Sequence, residues 1–516
     1  MKKQLFPWQE ACLTAWENNH FRGIANVITG AGKTKLAMAA IKRLFIVENN
    51  NVKIKIVVPK NFLLYQWHLN LREELDIPRE EIGFYSGTQK SKPDKKFMLY
   101  VINSARDVLA RHIINDINNG DKVFFIADEC HHYGSTANAR IFTYIPYIKT
   151  QIYTLGLSAT PWCANYNEVL VPSLGEEIYR FGFLSALNAG IINKFVLFNI
   201  HIPFTPNERE HYDEISTHLG FVIFKLTEIM PSLRVGKNSH TFFSTLEKTI
   251  KKGDPEVAEL AKTVFILTIQ RKEIVYRATH RIHAVTQLIH RLPRSAKIII
   301  FSERIETATA IHQNLPDTLR NEVGVYHSQI PKPLAKHNLR RFESGDLRIL
   351  ITCKTLDEGL NITHADVGIV VSSTGSRRQR VQRLGRVLRK KSNDRRALFY
   401  YLYVADTMEE DELLQEMLNP AFDGWVNRVD LTFDKEAGLF ENLQYEKWVA
   451  YVVEKMQNQT AEEQVEFMRN ADRLILTEDW LMSEAACLAK INAADGKRER
   501  NYYIAALLII RARMAK

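Results

Sequence analysis

A short glycine-containing loop between two regular segments holds the first residues whose types and spacing point to chemistry. The apolar run 24–28 predicts a strand, and the run 33–47 predicts a helix. The loop that joins them reads Thr29, Gly30, Ala31, Gly32, Lys33 and Thr34. Glycines let backbone N–H groups close around phosphate oxygens, and the helix N-terminus adds its positive dipole. We therefore expect the first four loop residues to bind phosphate, Lys33 to reach the β- and γ-phosphates, and Thr34 to ligate Mg²⁺.

Two adjacent carboxylates follow a second apolar run. The run 123–127 predicts a buried strand, and Asp128 and Glu129 come directly after it. Ligands bind at the carboxyl edge of open α/β sheets, so both side chains are expected at that edge. Asp128 can hold Mg²⁺, directly or through water, and Glu129 can orient and deprotonate an attacking water. Beside a phosphate loop, this interpretation is favoured over two solvated loop charges.

Short apolar runs alternate with helical patterns in two blocks of the chain, and these runs would position the loops. The predicted strands are 24–28, 54–58, 98–101, 123–127 and 152–157 in the first block, and 298–301, 349–352, 367–371 and 398–404 in the second. Buried parallel strands are short and apolar, and their alternation with helices predicts parallel sheets. The expected fold class is therefore α/β, with two parallel-sheet lobes.

Two other segments show helical patterns without strand alternation. One extends from about residue 205 to 294, and the other from about residue 408 to the end. We therefore expect a phosphate-binding lobe at 1–190, a mostly helical inter-lobe segment at 191–296, a second lobe at 297–410 and a helical C-terminal domain at 411–516. The role of the last domain stays open between partner docking and strand guidance.

Residues 128–131 (DECH) resemble the DExH box of superfamily 2 helicases, and the phosphate loop resembles the TGxGKT form that is usual in that family. The longer GxxxxGK[ST] pattern does not match, because its first glycine would fall at Val27. Gln9 is similar to the upstream glutamine that contacts adenine in the family. The resemblance therefore implies that Gln9 and the loop bind ATP, with Mg²⁺ as its metal.

Other segments resemble further motifs of the same family, in the same order. Residues 57–60 (VVPK) with Gln66 and Trp67 look like motif Ia, which implies that Pro59, Lys60 and Gln66 contact a nucleic-acid backbone. Residues 158–161 (SATP) match the SAT motif. By resemblance, the side chains that couple hydrolysis to movement are His131, Ser158 and Thr160.

The second block resembles motifs IV, V and VI. Residues 298–302 are similar to motif IV, and the segment from residue 352 to about residue 366 is similar to motif V, which implies that Gly359 contacts the nucleotide. Motif VI is matched by 382–389 (QRLGRVLR), in which Gln382, Arg386 and Arg389 stand at helical spacing and share a face. The resemblance implies that Gln382 binds the nucleotide. It also implies that the two arginines reach across a cleft to the γ-phosphate, so that hydrolysis requires closure.

Gln66, Trp67 and residues 181–187 look most like the XPB-like and restriction-subunit branch. That resemblance implies two tandem RecA-like lobes and a nucleic-acid-dependent ATPase that acts as a DNA helicase or duplex translocase. The alternatives are an RNA helicase, or a non-catalytic ATP-gated subunit of a repair, restriction or defence complex. The expected partner is duplex or branched DNA. Since no nuclease constellation is evident, any cutting would need a protein partner.

A basic stretch lies in the inter-lobe segment. Between residues 270 and 297, Glu273 is the only acid among seven Lys and Arg residues. A helix with this balance can lie along a phosphate backbone, with Arg271 and Arg281 as candidate contacts, or it can brace the lobes. The pattern leaves both interpretations open.

Composition and charge exclude several classes of protein. The formal net charge of +10 favours polyanionic partners. The five cysteines form no CxxC pair, so neither a zinc ribbon nor an iron–sulfur cluster is indicated. The N-terminus lacks the apolar core of a signal peptide, and the apolar run 502–510 is far shorter than the roughly 20 residues that span a bilayer. We expect a cytoplasmic protein without membrane insertion.

Overall fold

The computed structural model describes residues 4–163, 165–192, 194–234, 239–353, 365–372, 396–410 and 426–515. These residues form two compact units, of which the first contains the described residues up to 194 and the second contains those from 195 onward. Each unit has its own sheet and its own apolar core.

The sheet of the first unit contains seven strands within the described ranges. They are β1 (Arg22–Val27), β2 (Val52–Val58), β3 (Ile82–Tyr85), β4 (Phe97–Val101), β5 (Lys122–Asp128), β6 (Ile152–Ser158) and β7 (Glu177–Phe181). Their order is β3-β4-β2-β5-β6-β1-β7, and neighbouring strands are parallel. Residues 123–127 of β5 have no solvent exposure, as expected for a strand that is covered on both faces.

The helices of the first unit precede, connect and follow these strands. They are α1 (Pro7–Asn18), α2 (Lys33–Val47), α3 (Asn61–Leu75), α4 (Ile102–Ala105), α5 (Leu109–Asn118), α6 (Val171–Leu174) and α7 (Phe183–Asn188). Helix α5 shows why they pack on the sheet, since it buries Leu109, Ile113 and Asp116 at a spacing of three or four residues. Leu109 and Ile113 join the apolar core that contains Phe125 of β5.

The sheet of the second unit contains eight strands among the residues that the structure describes. They are β8 (Phe195–His201), β9 (Ile298–Ser302), β10 (Val323–Tyr326), β11 (Ile349–Cys353), β12 (Val367–Val370), β13 (Ala397–Tyr403), β14 (Val426–Asp434) and β15 (Leu439–Glu441). Their order is β10-β11-β9-β12-β13-β8-β14-β15, with parallel neighbours except for the antiparallel pair β14 and β15.

Helices cover this second sheet and extend beyond it. They are α8 (Pro206–Ile229), α9 (Ser239–Lys252), α10 (Pro255–Arg277), α11 (His280–Arg291), α12 (Ile305–Asn314), α13 (Asp317–Arg320), α14 (Lys332–Ser344), α15 (Leu443–Lys455), α16 (Ala461–Leu474), α17 (Glu484–Ala493) and α18 (Lys497–Ala515). Across the described part of the chain, none of the helices is both long enough and apolar enough to cross a bilayer.

Helices α8, α9 and α10 form a helical insertion with a core of its own. Leu219 and Leu226 of α8 pack there with Ala261 and Val264 of α10. The insertion begins at a capping box in which Thr205 and the Glu208 carboxylate satisfy each other's backbone N–H groups.

The chain enters and leaves the helical insertion at neighbouring points. The Nδ1 atom of His280, at the start of α11, lies 2.8 Å from the carbonyl oxygen of Pro203, which can only accept a hydrogen bond. In addition, the Thr279 N–H and hydroxyl donate to Glu208 at 2.9 and 2.8 Å. Two residues that are 77 positions apart in the chain are therefore held side by side.

The predicted α/β fold with two RecA-like sheets and additional helical segments is confirmed. Every predicted strand is present, with bounds that agree within two residues. The segment from about residue 205 to 294, which shows a helical pattern, contains α8, α9, α10 and α11. Strand β8 lies within the segment 191–296 that was expected to be mostly helical, and β14 and β15 lie within the expected helical domain 411–516. The four-part division of the chain therefore stays a proposal.

The interpretation of Arg281 and Arg271 as nucleic-acid contacts is not supported by their positions. Arg281 has no exposed surface, and it donates to Leu402 O at 2.9 Å and to Glu410 Oε2 at 2.6 Å. Arg271 donates to Glu409 at 2.8 Å, and only 14% of its side chain is exposed. The prediction is wrong for Arg281, because a fully buried guanidinium cannot reach a phosphate. Arg271 pairs with a carboxylate of its own unit, and its contact with nucleic acid stays a prediction.

We expect Glu410→Ala to destabilise the second unit strongly. The change leaves the Arg281 guanidinium buried without its carboxylate, and breaking one partner of a buried ion pair costs about 3–5 kcal/mol. Urea unfolding measures the loss. Glu259→Ala is the control, because its pair with Lys262 is exposed and such pairs contribute about 1 kcal/mol or less. Equal losses in the two variants would contradict the prediction.

Candidate active site

Three neighbouring strands of the first sheet bring the predicted motifs to one edge. The strand order β5-β6-β1 is parallel, so their carboxyl ends meet at the same edge. β1 ends at Val27 before the phosphate loop, β5 ends at Asp128, and β6 ends at Ser158. The loop, the acidic pair and the SAT segment therefore lie beside each other, as the alternation of strands and helices predicted.

The phosphate loop has the backbone conformation that its glycines predict. Gly30 and Gly32 have φ values of 90° and 102°, in the left-handed region that favours glycine. Gly32 is the residue before α2 and offers no side-chain cap. Because Gly32 cannot cap the helix with a side chain, this helix start is suited to bind phosphate oxygens through its first N–H groups. Thr34 is the second residue of this helix and is half-buried.

Gln9 is tethered directly to this loop. Its side chain is fully buried, its Nε2 donates to Gly32 O at 3.1 Å, and its Oε1 accepts from Phe6 N at 2.9 Å. A Cβ atom on Gly32 would meet Gln9 Nε2 at 3.0 Å. The close approach and the positive φ explain why glycine is required there.

Lys33 and Glu129 face each other across the site. Lys33 Nζ lies 3.7 Å from Glu129 Oε1 and 3.3 Å from Val27 O, to which it donates. Their side chains are only 11% and 9% exposed. Glu129 itself adopts a φ of 48°, a strained value for a residue other than glycine. Such strain persists where the surrounding contacts hold it, and this turn directs the carboxylate toward Lys33.

Both oxygens of the Asp128 carboxylate accept hydrogen bonds. Oδ2 accepts from the indole N–H of Trp67 at 2.7 Å, and Oδ1 accepts from Glu129 N at 3.1 Å. The pKa of Asp128 is raised to about 6, first by burial and next by the charge of Glu129, while the Trp67 hydrogen bond and the charge of Lys33 act in the opposite direction. To keep such a buried carboxylate ionised at neutral pH costs free energy, and a bound cation would offset that cost.

The DExH histidine contacts the SAT segment. His131 Nδ1 lies 2.9 Å from Ser158 Oγ and 3.5 Å from Glu129 Oε2. The same Ser158 hydroxyl accepts from Thr160 N at 3.1 Å. These contacts link β6 to the acidic pair, and the coupling role of the three residues stays a prediction.

The residues of motif Ia lie at the same edge. Pro59 and Lys60 follow the end of β2 directly, and Gln66 lies in α3, with all three half-buried. Their contact with nucleic acid stays a prediction. Gly359, Gln382, Arg386 and Arg389 lie outside the described residues, so their predicted roles also stay predictions.

Two residues of this site were missed as functional by sequence reasoning. Trp67 was noted only as part of a motif, yet it donates to Asp128. The Tyr133 hydroxyl lies 2.8 Å from Val57 O and 2.6 Å from Asp128 O. The signal for Trp67 was its place in the second turn of the helix that follows a strand at this edge, whereas nothing local marks Tyr133.

Two family models match the chain. The model described as "Type III restriction enzyme, res subunit" matches residues 2–162, and the "Helicase conserved C-terminal domain" model matches residues 280–391. The first match contains the phosphate loop and the acidic pair, and the second contains the segments that resemble motifs IV to VI.

Curated proteins and solved structures agree with these matches. The chain is 26% identical over 79% of its length to a "DNA 3'-5' translocase XPB2" of Sulfurisphaera tokodaii, of which it covers 83%. It is 24% identical over 77% of its length to a "Putative DNA 3'-5' helicase Rad25" of Haloarcula marismortui, of which it covers 52%. The Hef helicase domain of Pyrococcus furiosus has a similar fold, with a TM-score of 0.50, 16% identity, and coverage of 80% of this chain and 97% of that one.

Proposed function

Because this chain belongs to superfamily 2 of the helicases, in the XPB-like and restriction-subunit type, we propose that it is a nucleic-acid-dependent ATPase that acts as a DNA helicase or duplex translocase. The observation that carries the proposal is the approach of Lys33 Nζ to Glu129 Oε1 at 3.7 Å, beside a phosphate loop in the required conformation. A lysine for phosphate and a carboxylate for water are thus available in one place.

ATP with Mg²⁺ fits the residues that are present. Thr29 Oγ1 is buried and has no hydrogen-bond partner among the described residues, so it can bond to a nucleotide. Glu129 Oε2 is also buried and accepts no hydrogen bond in that part of the chain. The open first turn of α2 supplies N–H groups for phosphate. Thr34 and Asp128 would hold the metal, and Mg²⁺, when bound, neutralises charge on the β- and γ-phosphate oxygens.

The side chains of this lobe then have distinct tasks. Lys33 neutralises the terminal phosphates, and Glu129 orients the attacking water and accepts its proton. Gln9 is proposed to contact the adenine once the nucleotide is bound; in this structure its side chain is fully buried, and its bond to Gly32 O joins it to the phosphate loop. Arg386 and Arg389 are proposed to stabilise the charge that develops during hydrolysis, and such arginines contribute about 10³–10⁵ in rate.

Nucleic acid is the proposed polymer along which the protein moves, and we propose that this polymer is duplex or branched DNA. Two relatives are named as DNA 3'-5' translocase or helicase. Pro59, Lys60 and Gln66 are proposed to contact the backbone, and the net charge of +10 favours such a polyanion. Base-independent contacts should make binding strongly salt-dependent. A separate nuclease is the proposed protein partner for any cutting.

The direct test is the ATPase rate with four separate activators: single-stranded DNA, duplex DNA, forked DNA and RNA. The proposal expects the strongest stimulation by duplex or forked DNA. Stimulation by RNA alone would favour the RNA helicase, because motif residues do not separate the two polymers. ATP binding without turnover under every condition would favour a non-catalytic, ATP-gated subunit.

We expect Gly32→Ala to weaken nucleotide binding. The left-handed φ of 102° costs an alanine about 1–2 kcal/mol, and its Cβ atom would press on Gln9 Nε2. Equilibrium binding of a fluorescent ATP analogue measures the loss. Gly182→Ala is the matched control, because Gly182 has a φ of −81° and open space where a Cβ would stand. Unchanged affinity in Gly32→Ala would contradict the proposed role of the loop.

A further inference from the structure

The side chain of Trp67 is buried against the acidic end of β5. Trp67 is 1% exposed, lies in α3 and donates its indole N–H to Asp128 Oδ2 at 2.7 Å. An indole nitrogen is a donor only, so the direction of this bond is fixed. A hydrogen bond to an ionised acceptor is about twice as strong as a neutral one. The bond therefore restricts the rotation of the Asp128 carboxylate about its terminal torsion.

The backbone at this point is fixed by a different residue. The Tyr133 hydroxyl lies within hydrogen-bond distance of Val57 O, at the end of β2, and of Asp128 O, at the end of β5. Its single proton is shared between the two carbonyls. Because Tyr133 and the pairing of β5 with β6 hold the main chain, the Trp67 bond sets the orientation of the Asp128 side chain rather than the position of its backbone.

We propose that Trp67 is a positioning residue for the metal carboxylate: it holds Asp128 in the orientation that receives Mg²⁺ with the nucleotide. This inference rests on the proposed function and adds to it a residue that does not touch substrate or metal. Partners that orient metal ligands in this way typically change metal affinity by about 10- to 100-fold when they are removed. The bond also ties α3, which carries Gln66 and Trp67 of motif Ia, to the metal end of the site.

A second tryptophan in the same unit provides a matched control. Trp16 is also 1% exposed, and its indole N–H donates at 2.8 Å, but to the backbone carbonyl of Thr154. Replacing either tryptophan with phenylalanine removes one buried N–H···O bond and part of one buried ring. Only the Trp67 bond ends on a proposed metal ligand. The two variants therefore separate positioning from a general loss of packing.

The experiment measures nucleotide binding rather than turnover. Wild type, Trp67→Phe and Trp16→Phe are titrated with Mg²⁺ at a fixed concentration of a fluorescent ADP analogue, and affinity in EDTA is measured in parallel. We expect Trp67→Phe to raise the half-saturating Mg²⁺ concentration about tenfold or more, with an unchanged affinity in EDTA. Trp16→Phe should leave both values at those of the wild type. Identical Mg²⁺ titrations for the two variants would overturn the proposal.

Two further measurements keep the result interpretable. Thermal unfolding of each variant shows whether the protein is folded at the assay temperature. If Trp67→Phe is not folded, 3-benzothienylalanine at position 67 keeps the bicyclic shape but lacks the N–H, and it enters the same titration with the same expected shift. If the wild type binds nucleotide without any dependence on Mg²⁺, Asp128 is not a metal ligand for it and the Trp67 inference fails. If the wild type binds no nucleotide under either condition, the proposed function fails, which is a different result.

Discussion

Lys33→Ala is expected to abolish ATP hydrolysis. Lys33 Nζ is the cation in the phosphate loop, and its 11% exposure means that water cannot readily take over its role. Loss of one preorganised group that stabilises the developing charge typically costs about 10²–10³ in rate, and here the binding of the terminal phosphates is lost as well. The measurement is steady-state ATPase activity with saturating DNA.

Lys35→Ala is the control for this prediction. Lys35 is two residues further along α2, and its Nζ donates to Gln4 O at 2.8 Å rather than facing Glu129. Both variants remove one positive charge from the same helix, so a general change in charge affects them equally. Retained turnover in Lys33→Ala would refute the assignment of the loop, whatever the result for Lys35→Ala.

Glu129→Gln is expected to bind ATP and to hydrolyse it poorly. Glutamine has nearly the shape of glutamate, so the turn with its φ of 48° can persist, but an amide cannot accept the proton of the attacking water. General base catalysis contributes about 10²–10⁴ in rate, and the variant should lose most of that factor. Single-turnover hydrolysis measures the rate, and equilibrium binding of ATP measures the affinity.

The matched control is Glu17→Gln. Glu17 lies on α1 of the same unit, and its Oε1 is 2.6 Å from Nη1 of Arg43. It should leave both rate and affinity near the wild-type values. Normal turnover in Glu129→Gln would place the base elsewhere. Loss of ATP binding in that variant would instead indicate that Glu129 holds the nucleotide, and the role of general base would then be withdrawn.

The parts of the site that could be predicted are those whose signals are local. The phosphate loop is preceded by a strand and followed by a helix, and these two elements place Lys33 without information from elsewhere in the chain. Asp128 and Glu129 follow an apolar run that is long enough to be a strand. Because parallel strands end at a common edge, their meeting with Lys33 followed from the alternation of elements alone.

The parts that could not be predicted depend on partners that are distant in the sequence. Arg281 looked like one of several helix cations, but its carboxylate partner Glu410 is 129 residues away. Strand β8 was missed because Asn199 and His201 interrupt its apolar run. Asn199 is buried nonetheless, since its amide donates to Asp430 of β14 at 2.9 Å. Charge counting and periodicity cannot register such pairings.

The helical insertion leaves and rejoins the second unit at two adjacent residues, Pro203 and His280, and this limits how its length affects the rest of the fold. Because Pro203 and His280 lie side by side, the helical insertion between them can become longer or shorter in related proteins without a change in the register of the strands of the second sheet. For the same reason, Pro203 and His280 are suitable junctions for chimaeras in which the helical insertion is exchanged. Arg281 follows His280 directly and pairs with Glu410, so a chimaera must keep Arg281 with the second unit.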